Sequence, residues 1–481
     1  MLEERLKMKE LETQNDAEGM DVTELLPEKN LPPKEDLLRL LDERKFSQFV
    51  EIISECFAAD IAEYFEEIPK EYYTRFFRFL PKELASEVFV LMDAQTKEFL
   101  INSFTDAELS DILDELFLDD TVDIIEEMPA NVVKRILRNT KGEERSQINE
   151  LLGYPKDTAG TIMTTEYVRF VRDMTVEAAL SHLRSVAIDK ETIYTCYVTD
   201  KSRHLEGIVT AKQLLISPLE TKLSDIMETS VIFAVTTDDK EDVARKINKY
   251  GFLSLPIVDA ELRLVGIVTV DDAIDVIQEE TEEDISKMAA ISPTEEPYLK
   301  TSVITVFKSR IPWLMLLMIS ATVSSTILSR FEQNLASILV LFVPMLMDTG
   351  GNSGNQASVT LVRGLSLGEV KLSDYLKVWW RELRVGVLCG VTLGALAFVK
   401  VMLIDHLVMQ NDDVTVVVAA VVAVTLSLTV IMAKFVGSSL PMLASKIGLD
   451  PAVMASPFIT TTVDALSLMV YFFIASPFFP K

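Results

Sequence analysis

The spacing of hydrophobic residues divides the chain into two unlike parts that meet near Pro312. After Pro312 the apolar residues form continuous runs, each long enough to cross a hydrocarbon layer of about 30 Å as a helix. Before it they are interspersed with acidic residues, as in domains that face water. The apolar runs lie at roughly 311–330, 335–361, 384–404, 414–434 and 452–476. We therefore expect an all-α transmembrane bundle of five helices over 308–481.

Residues 35–150 repeat a short helical unit at intervals of twelve. Each unit begins with Pro, Thr or Asp beside an acidic turn, which is typical of a helix start. The units are IPKEYYTRFF (68–77), LPKELASEVF (80–89), MDAQTKEFLI (92–101) and FTDAELSDIL (104–113), with MPANVVKRIL (128–137) two steps later. No helix this short buries its apolar stripe alone, so we expect an all-α superhelical domain. Residues 1–34, which are polar and acidic, are interpreted as a flexible leader.

Residues 151–271 change to strand-like runs and contain a second internal repeat. HLEGIVTAKQLL (204–215) matches RLVGIVTVDDAI (263–274), and each copy follows a helical stretch, an apolar strand and a turn. This order predicts two tandem α/β domains. Residues 272–307 then form an acidic connecting helix, predicted to be continuous to residue 300. Its like charges destabilise an isolated helix, so it is either a solvated connector or a lever bridged by a divalent cation.

The charge of the chain narrows the classes of ligand. The net charge is −28, which argues against nucleic acid, because phosphates require Lys and Arg, and which suits cations. Cys56, Cys196 and Cys389 match no metal or disulfide pattern, so we expect a reducing compartment. The first residues, MLEERLKMKE, lack the apolar core of a cleaved signal. Basic residues between the second and third runs, and between the fourth and fifth (Lys434 and Lys446), place the N-terminus in the cytoplasm and the C-terminus outside.

One carboxylate lies near the middle of the last apolar run. Burying Asp464 there costs on the order of 3 kcal/mol on insertion scales, so it should face protein, water or a cation. The interpretations are a cation site on a permeation path, or a helix contact in which Ser or Thr binds the carboxylate.

The second apolar run contains the polar stretch PMLMDTGGNSGNQASVTLV (344–362). Its glycines allow close backbone approach or an opened turn, and its amides add oxygen acceptors. Packing of small residues explains the glycines but not Asp348, Asn355 and Gln356. Mg²⁺ keeps several waters and is bound by one or two carboxylates, so a hydrated Mg²⁺ fits one Asp per subunit. Zn²⁺ and Cu²⁺ fit poorly, because no His or Cys accompanies Asp464. No catalytic motif is present, and we expect no enzymatic activity.

The two G-I-V-T strands at matching places resemble a pair of CBS domains, a family that senses ligands such as adenine nucleotides. The resemblance implies a nucleotide site: Thr269 and Asp272 match residues that hold a ribose, and Phe252 is similar to a residue that stacks on adenine. In the first copy Thr210 is followed by Ala211, Lys212 and Gln213 with no Asp, so a second nucleotide site is in question.

The order of helical repeats, CBS pair, acidic helix and five spans with GGNSGNQ and TTTVDAL resembles the MgtE-type magnesium channel family. The resemblance implies a homodimer in the bacterial cell membrane with a pore on the twofold axis. Asp464 and the backbone of Thr460 would hold a hydrated Mg²⁺, with Gly351 and Asn355 along the path. It also implies regulatory Mg²⁺ sites formed by acids at positions 119 and 123 of the repeats, in the second CBS domain and in the connecting, or plug, helix: Asp119, Asp123, Asp239, Glu241, Asp272, Asp275, Glu280, Glu283 and Asp284.

Three positions depart from the pattern of that family. Asp348 stands where a glycine can stand, which places an extra acid near the path. Ser456 replaces an asparagine and Gly251 an acid, so one ion position in the path and one regulatory ion are in question.

The sequence therefore predicts a channel for Mg²⁺ that is closed by cytosolic Mg²⁺ and tuned by ATP or another adenine nucleotide. A divalent cation exchanger coupled to Na⁺ or H⁺ remains an alternative, as does a membrane-anchored nucleotide sensor.

Overall fold

The computed structural model describes residues 32–294, 298, 301–332, 337–454 and 456–479. The predicted leader therefore lies almost wholly outside the described residues. The chain divides into two compact units, Met1–Ile277 and Gln278–Lys481. The first holds the helical repeats and the tandem α/β domains, and the second holds the membrane-length helices, which together confirm the predicted fold class.

The helical repeats begin earlier and are more regular than the sequence units suggested. Ten helices start at intervals of twelve residues from Lys34 to Gly142. Local chemistry sets these starts: Thr105, for example, forms a capping box with Glu108, which satisfies free amide groups of the first turn. The helices are α1 (Lys34–Asp42), α2 (Phe46–Ile53), α3 (Ala58–Glu67), α4 (Lys70–Phe77), α5 (Lys82–Leu91), α6 (Ala94–Ser103), α7 (Asp106–Leu113), α8 (Leu118–Glu127), α9 (Ala130–Asn139) and α10 (Gly142–Leu151).

The tandem domains each contain a three-stranded sheet of the same topology. The first contains β1 (Tyr167–Val171), α11 (Val176–Val186), β2 (Thr192–Thr199), β3 (Leu205–Thr210) and α12 (Ala211–Ile216), followed by the short α13 (Leu223–Ile226). The second contains β4 (Ala234–Val235), α14 (Lys240–Tyr250), β5 (Ser254–Val258) and β6 (Leu264–Thr269). In each sheet the first pair of strands is parallel and the second antiparallel. The second domain shares one apolar core with the helical repeats.

The acidic connecting helix, α15 (Val270–Met288), is shorter than predicted. The sequence predicted a helix to residue 300, but the helix ends at Met288, and Ala290 adopts a left-handed φ of 55°. A left-handed residue typically terminates a helix, and Pro293 follows it.

The membrane-length helices follow. They are α16 (Val303–Glu332), the short α17 (Ser337–Val340), α18 (Val343–Ser366), α19 (Tyr375–Lys400), α20 (Val416–Lys446) and α21 (Ser456–Ala475), with a π-helix, Val401–Val408, continuing α19. Among the described residues, four segments are both long and apolar enough to cross a membrane: Val303–Arg330, Leu372–Val408, Val416–Lys446 and Pro451–Ala475.

The second predicted span corresponds to α18, which is not among those four segments. Its 24 residues are long enough for a bilayer at 1.5 Å per residue. It falls short in hydropathy because it carries the polar stretch with Asp348 and Gln356.

The fourth predicted span is also longer than expected. The sequence ended the fourth run at residue 434 and placed Lys434 between the fourth and fifth runs. This was wrong, because α20 continues through Lys446 and Lys434 is buried. The small residues Gly437 and Ser438 of this helix are packed inside the bundle.

Glycines bring the membrane helices into backbone contact. Gly386, Gly390 and Gly394 of α19 recur every four residues against α20: a methyl group at Gly390 would lie 2.6 Å from the carbonyl oxygen of Ser427. Gly437 of α20 likewise touches the backbone of Gly354 in α18. Such spacing is typical of tightly packed membrane helices and holds α18, α19 and α20 as one group.

Candidate functional site

The predicted ion path has its residues on two helices, α18 and α21. A methyl group added at Gly351 would lie 2.9 Å from Cγ2 of Thr460 and 3.7 Å from Oδ1 of Asp464. Glycine therefore permits the close approach of the two helices at this level. The structure thus brings together three of the predicted residues, and Asp464 is half-buried near the middle of α21.

No hydroxyl group of the described residues forms a hydrogen bond with the Asp464 carboxylate. Among the described residues, two features act on the Asp464 carboxylate: its partial burial away from water and the negative charge of Asp348 nearby. This speaks against the interpretation of Asp464 as a hydrogen-bonded helix contact. A half-buried acid that lies near a second acid forms an environment that attracts a cation.

One face of α18 carries a polar stripe that a single chain leaves exposed. The stripe consists of Asp348, Asn352 and Gln356, which follow at intervals of four residues and are all exposed. Nδ2 of Asn352 donates a hydrogen bond of 3.2 Å to Oδ1 of Asp348. Polar groups at membrane depth are stable only against protein or water. The polar stripe therefore requires a wet cavity or a second protein surface.

Asn355, also predicted on the path, is less exposed than the polar stripe. Its Oδ1 is buried and has no hydrogen-bond partner among the described residues. A buried amide oxygen of this kind is costly unless water or a cation binds it.

A second group of acids lies within the first unit, at the start of helix α8. Asp119 and Asp120 occupy the first turn of this helix, and Glu166, just before β1, accepts a hydrogen bond of 3.2 Å from the amide of Leu118. Asp272 and Glu191 are close enough to act on these carboxylates. We call Asp119, Asp120, Glu166, Glu191 and Asp272 the acidic cluster.

The acidic cluster concentrates negative charge away from water. Burial, then repulsion from Asp120 and Asp272, raises the pKa of Asp119 well above its usual value. Burial and Asp272 raise the pKa of Asp120 to about 6, and burial and Asp120 raise that of Glu191 to about 7. Each direction means that the protein disfavours the charged form in the absence of a cation.

One buried oxygen of the acidic cluster has no hydrogen-bond partner in the part of the chain that the structure describes. Oδ1 of Asp119 is inaccessible to solvent and accepts no hydrogen bond from the described residues. A buried carboxylate oxygen of this kind fits a divalent cation, which prefers oxygen ligands. Asp123, one turn further along α8, lies at the exposed edge of the group, where partial loss of water and Asp272 still raise its pKa.

Sequence reasoning predicted Asp119, Asp123 and Asp272 but missed Asp120, Glu166 and Glu191. Asp120 adjoins a predicted residue in the same helical turn. The other two come from segments far away in sequence, and nothing in their local pattern distinguishes them from solvated acids.

Not all of the predicted regulatory acids lie together in a site. Asp239 caps helix α14 by accepting a hydrogen bond of 2.8 Å from the amide of Glu241, which in turn pairs with Arg245 at 2.9 Å. Asp275 is exposed on α15. Within the described residues, no three His, Cys, Asp or Glu side chains are arranged to hold a metal ion.

The predicted nucleotide residues are partly assembled. Oγ1 of Thr269 donates a hydrogen bond to Oδ2 of Asp272 at the start of α15. Phe252 stacks on Tyr250, with ring centroids 5.4 Å apart. Asp272 therefore belongs both to the predicted ribose pair and to the acidic cluster.

The second unit contains contacts between the last turns of α15 and the ends of the membrane helices. Oγ of Ser366, the last residue of α18, donates a hydrogen bond of 2.9 Å to Oδ2 of Asp284. Lys287 pairs with Glu283 at 2.6 Å and with Asp450 at 2.7 Å. Burial raises the pKa of Asp284, whereas Ser366 lowers it. Glu280 is partly exposed on the same helix.

A membrane bundle with a half-buried acid, preceded by helical repeats and a tandem α/β pair rich in acids, defines a multi-pass transporter of cations. Three family models match the chain: "Divalent cation transporter" over residues 343–474, "MgtE intracellular N domain" over 57–157, and "CBS domain" over 159–219 and 223–279. The chain belongs to the MgtE family of magnesium transporters.

Two bacterial relatives support this assignment. The magnesium transporter MgtE of Thermus thermophilus is 35% identical over 431 residues, which cover 88% of this chain and 94% of the relative. That of Bacillus subtilis is 32% identical over 444 residues, covering 92% and 96%. A crystal structure of the cytosolic domain of the Mg²⁺ channel MgtE in complex with ATP is 35% identical, with a TM-score of 0.48, and covers 50% of this chain and 98% of that one.

Proposed function

We propose that this protein is a homodimeric Mg²⁺ channel in which Asp464 binds the hydrated ion. The observation that carries the proposal is the contact of Gly351 with Thr460 and Asp464 beside the polar stripe of α18. One carboxylate per subunit, surrounded by carbonyl, amide and water oxygens, suits an ion that sheds its water reluctantly. Among the described residues, no donor competes for Asp464, so its charge is available to the ion.

The exposed polar stripe supports a pore between two copies of the chain. Lipid cannot satisfy Asp348, Asn352 and Gln356, whereas a second copy related by a twofold axis would enclose them around water. Closed twofold symmetry is the commonest arrangement of identical subunits. The N-terminus would lie in the cytoplasm, because the short basic loops lie on that side.

Cytosolic Mg²⁺ would close the channel through the acids of the cytosolic domains and the connecting helix. In the acidic cluster, buried like charges repel one another. Exposed acids more than about 8 Å apart barely interact, because salt screens their charges at physiological ionic strength. Closure therefore requires a cation that binds directly between carboxylates, because long-range electrostatic interaction is too weak. A bound divalent cation would supply the positive charge that this cluster lacks. Asp119 and Asp272, with Asp123 at the edge, are the ligands we propose there.

The remaining proposed regulatory ligands are Asp239, Glu241, Asp275, Glu280, Glu283 and Asp284. The contact of Asp284 with Ser366 supports a role for the last turns of α15, because it connects them with the end of α18. Helix α18 also contains Gly351. A movement of its cytosolic end would therefore also move the part of the helix that lines the proposed ion path.

An adenine nucleotide such as ATP would bind at Thr269, Asp272 and Phe252 in the second CBS domain. Asp272 lies within the acidic cluster as well as beside Thr269. Binding of the nucleotide and of Mg²⁺ would therefore be coupled, and linkage requires the coupling to be reciprocal.

Flux of Mg²⁺ into liposomes containing the purified protein tests the proposal. We expect flux down the electrochemical gradient without a co-ion, inhibited by Mg²⁺ on the side of the cytosolic domains and modified by ATP. A strict requirement for Na⁺ or H⁺ would identify an exchanger instead. Absence of any divalent cation flux would refute the channel.

A further inference from the structure

Lys434 is a buried cation inside the membrane bundle that the channel proposal does not use. It lies within α20, twelve residues before the end of that helix at Lys446, and is only 5% exposed. Its Nζ donates a hydrogen bond of 3.3 Å to Oε1 of Gln356 on α18. Among the described residues, no carboxylate lies within the 4.0 Å that defines an ion pair with it. A charge in this position is costly.

The surroundings show that Lys434 points inward although an interface lies nearby. One turn further along α20, Ser439 accepts a hydrogen bond of 3.0 Å from the indole of Trp379, and such aromatic residues mark the edge of the hydrocarbon. A lysine near that level ordinarily extends its ammonium to the lipid head groups. The Lys434 stem instead packs against Gly386 of α19, and its ammonium contacts the polar stripe.

Lys434 gives the polar stripe opposite charges at its two ends. Asp348 and Asn352 are hydrogen-bonded at one end, and Gln356 binds Lys434 at the other, eight residues further along α18. A cation that moves along this stripe meets a negative charge first and a positive charge later. The Coulomb energy scales with the charge of the ion, so a divalent cation is repelled twice as strongly as a monovalent one.

We propose that Lys434 is a fixed positive charge that limits how long a divalent cation stays at the Gln356 end of the ion path. It thereby speeds release of the ion from the Asp464 site toward the cytosolic end. This inference rests on the proposed channel function. The role depends on the charge of Lys434, not only on the hydrogen bond that holds Gln356.

Three substitutions separate charge from position. Lys434→Arg keeps the charge, Lys434→Met removes both the charge and the hydrogen bond, and Gln356→Glu keeps the contact but cancels the charge. In liposome flux with the cytosolic side free of Mg²⁺, we expect Lys434→Met and Gln356→Glu to lower the half-saturating Mg²⁺ concentration and the maximal flux, each by roughly tenfold. Lys434→Arg should match the unsubstituted protein in both quantities.

Thermal unfolding of the full chain in detergent distinguishes this role from a structural one. Removing a buried charge without an ionic partner should leave the midpoint of Lys434→Met unchanged or higher, while its flux changes. A lower midpoint with unchanged half-saturation would show a structural role and overturn the inference. So would a Gln356→Glu variant that behaves like the unsubstituted protein. If the unsubstituted protein itself carries no Mg²⁺, the channel proposal fails first.

Discussion

Ser366 donates a hydrogen bond of 2.9 Å to the carboxylate of Asp284. This bond joins the last residue of α18 to the acidic connecting helix. Lys287 of the same connecting helix forms an ion pair with Asp450, which lies between α20 and α21. Because α18 also carries Gly351 against Asp464, a single helix runs from the connecting helix to the proposed ion site. We regard this contact as the mechanical link between regulation and conduction.

Replacing Ser366 with Ala should weaken that link. A hydrogen bond to a charged group contributes about 1.5–3 kcal/mol, so we expect the Mg²⁺ concentration that half-closes the channel to change by about tenfold or more, while maximal flux stays the same. Thr360→Ala is the matched control, because the Thr360 hydroxyl donates a hydrogen bond of 2.8 Å to the carbonyl oxygen of Gln356 in its own helix. A closing concentration equal to that of the control would exclude the Ser366–Asp284 contact from gating.

The repeats and the tandem domains could be predicted because their signals are local. Helix starts at Pro, Thr and Asp recur every twelve residues, and the two G-I-V-T strands mark equivalent places in two sheets. Asp464 could be proposed as an ion ligand for the same kind of reason, since one acid in an apolar span is conspicuous in sequence. The missed boundary at Met288 depends on one left-handed residue, Ala290, which has no strong local signature.

The surroundings of Glu166, Glu191 and Lys434 depend on tertiary contacts and could not be predicted from the sequence. Glu166 and Glu191 join Asp119 only because the first CBS domain folds against helix α8. Lys434 was placed between two spans because the fourth apolar run ends there, yet the helix continues to Lys446 and buries Lys434. Side chains that gain their role from a distant segment cannot be recognised from spacing alone.

The acidic cluster should make the stability of the cytosolic part depend on pH. Unfolded carboxylates titrate near pH 4, whereas folded Asp120 and Glu191 have pKa values of about 6 and 7. Between those values the folded state binds more protons, so its stability falls as the pH rises from about 5 to 8. Thermal unfolding of the full chain in EDTA measures this.

Mg²⁺ should reverse that dependence, because a bound cation replaces the protons at high pH. We expect the stabilisation by Mg²⁺ to be larger at pH 8 than at pH 6. Equal stabilisation at both values would mean that the ion binds elsewhere than at the acidic cluster.

Asp119→Asn should stabilise the protein without divalent cations. The substitution removes a buried, repelled charge, so we expect a higher midpoint of thermal unfolding in EDTA and a smaller further rise with Mg²⁺ than in the unsubstituted protein. Glu87→Gln removes an exposed carboxylate from α5 of the same repeats. It should change neither the stability in EDTA nor the stabilisation by Mg²⁺. If Asp119→Asn responds fully to Mg²⁺, Asp119 is not a ligand.

Gly351→Ala should damage the ion path while leaving the cytosolic domains intact. The added methyl group would lie 2.9 Å from Thr460, so α18 and α21 must separate, and we expect Mg²⁺ flux to fall by at least about tenfold. Gly142→Ala, where a methyl group meets nothing within 4 Å, is the control. Unimpaired flux in Gly351→Ala would show that this helix contact does not shape the path.

The central claim is that Asp464 binds the ion that crosses the membrane. The most direct test is Mg²⁺ flux in liposomes with Asp464→Asn, which keeps the size of the side chain but removes its charge, beside Asp413→Asn, an exposed acid of a loop. We predict that Asp464→Asn abolishes saturable Mg²⁺ flux and that Asp413→Asn does not alter it. Saturable flux in Asp464→Asn with an unchanged half-saturating concentration would contradict the account.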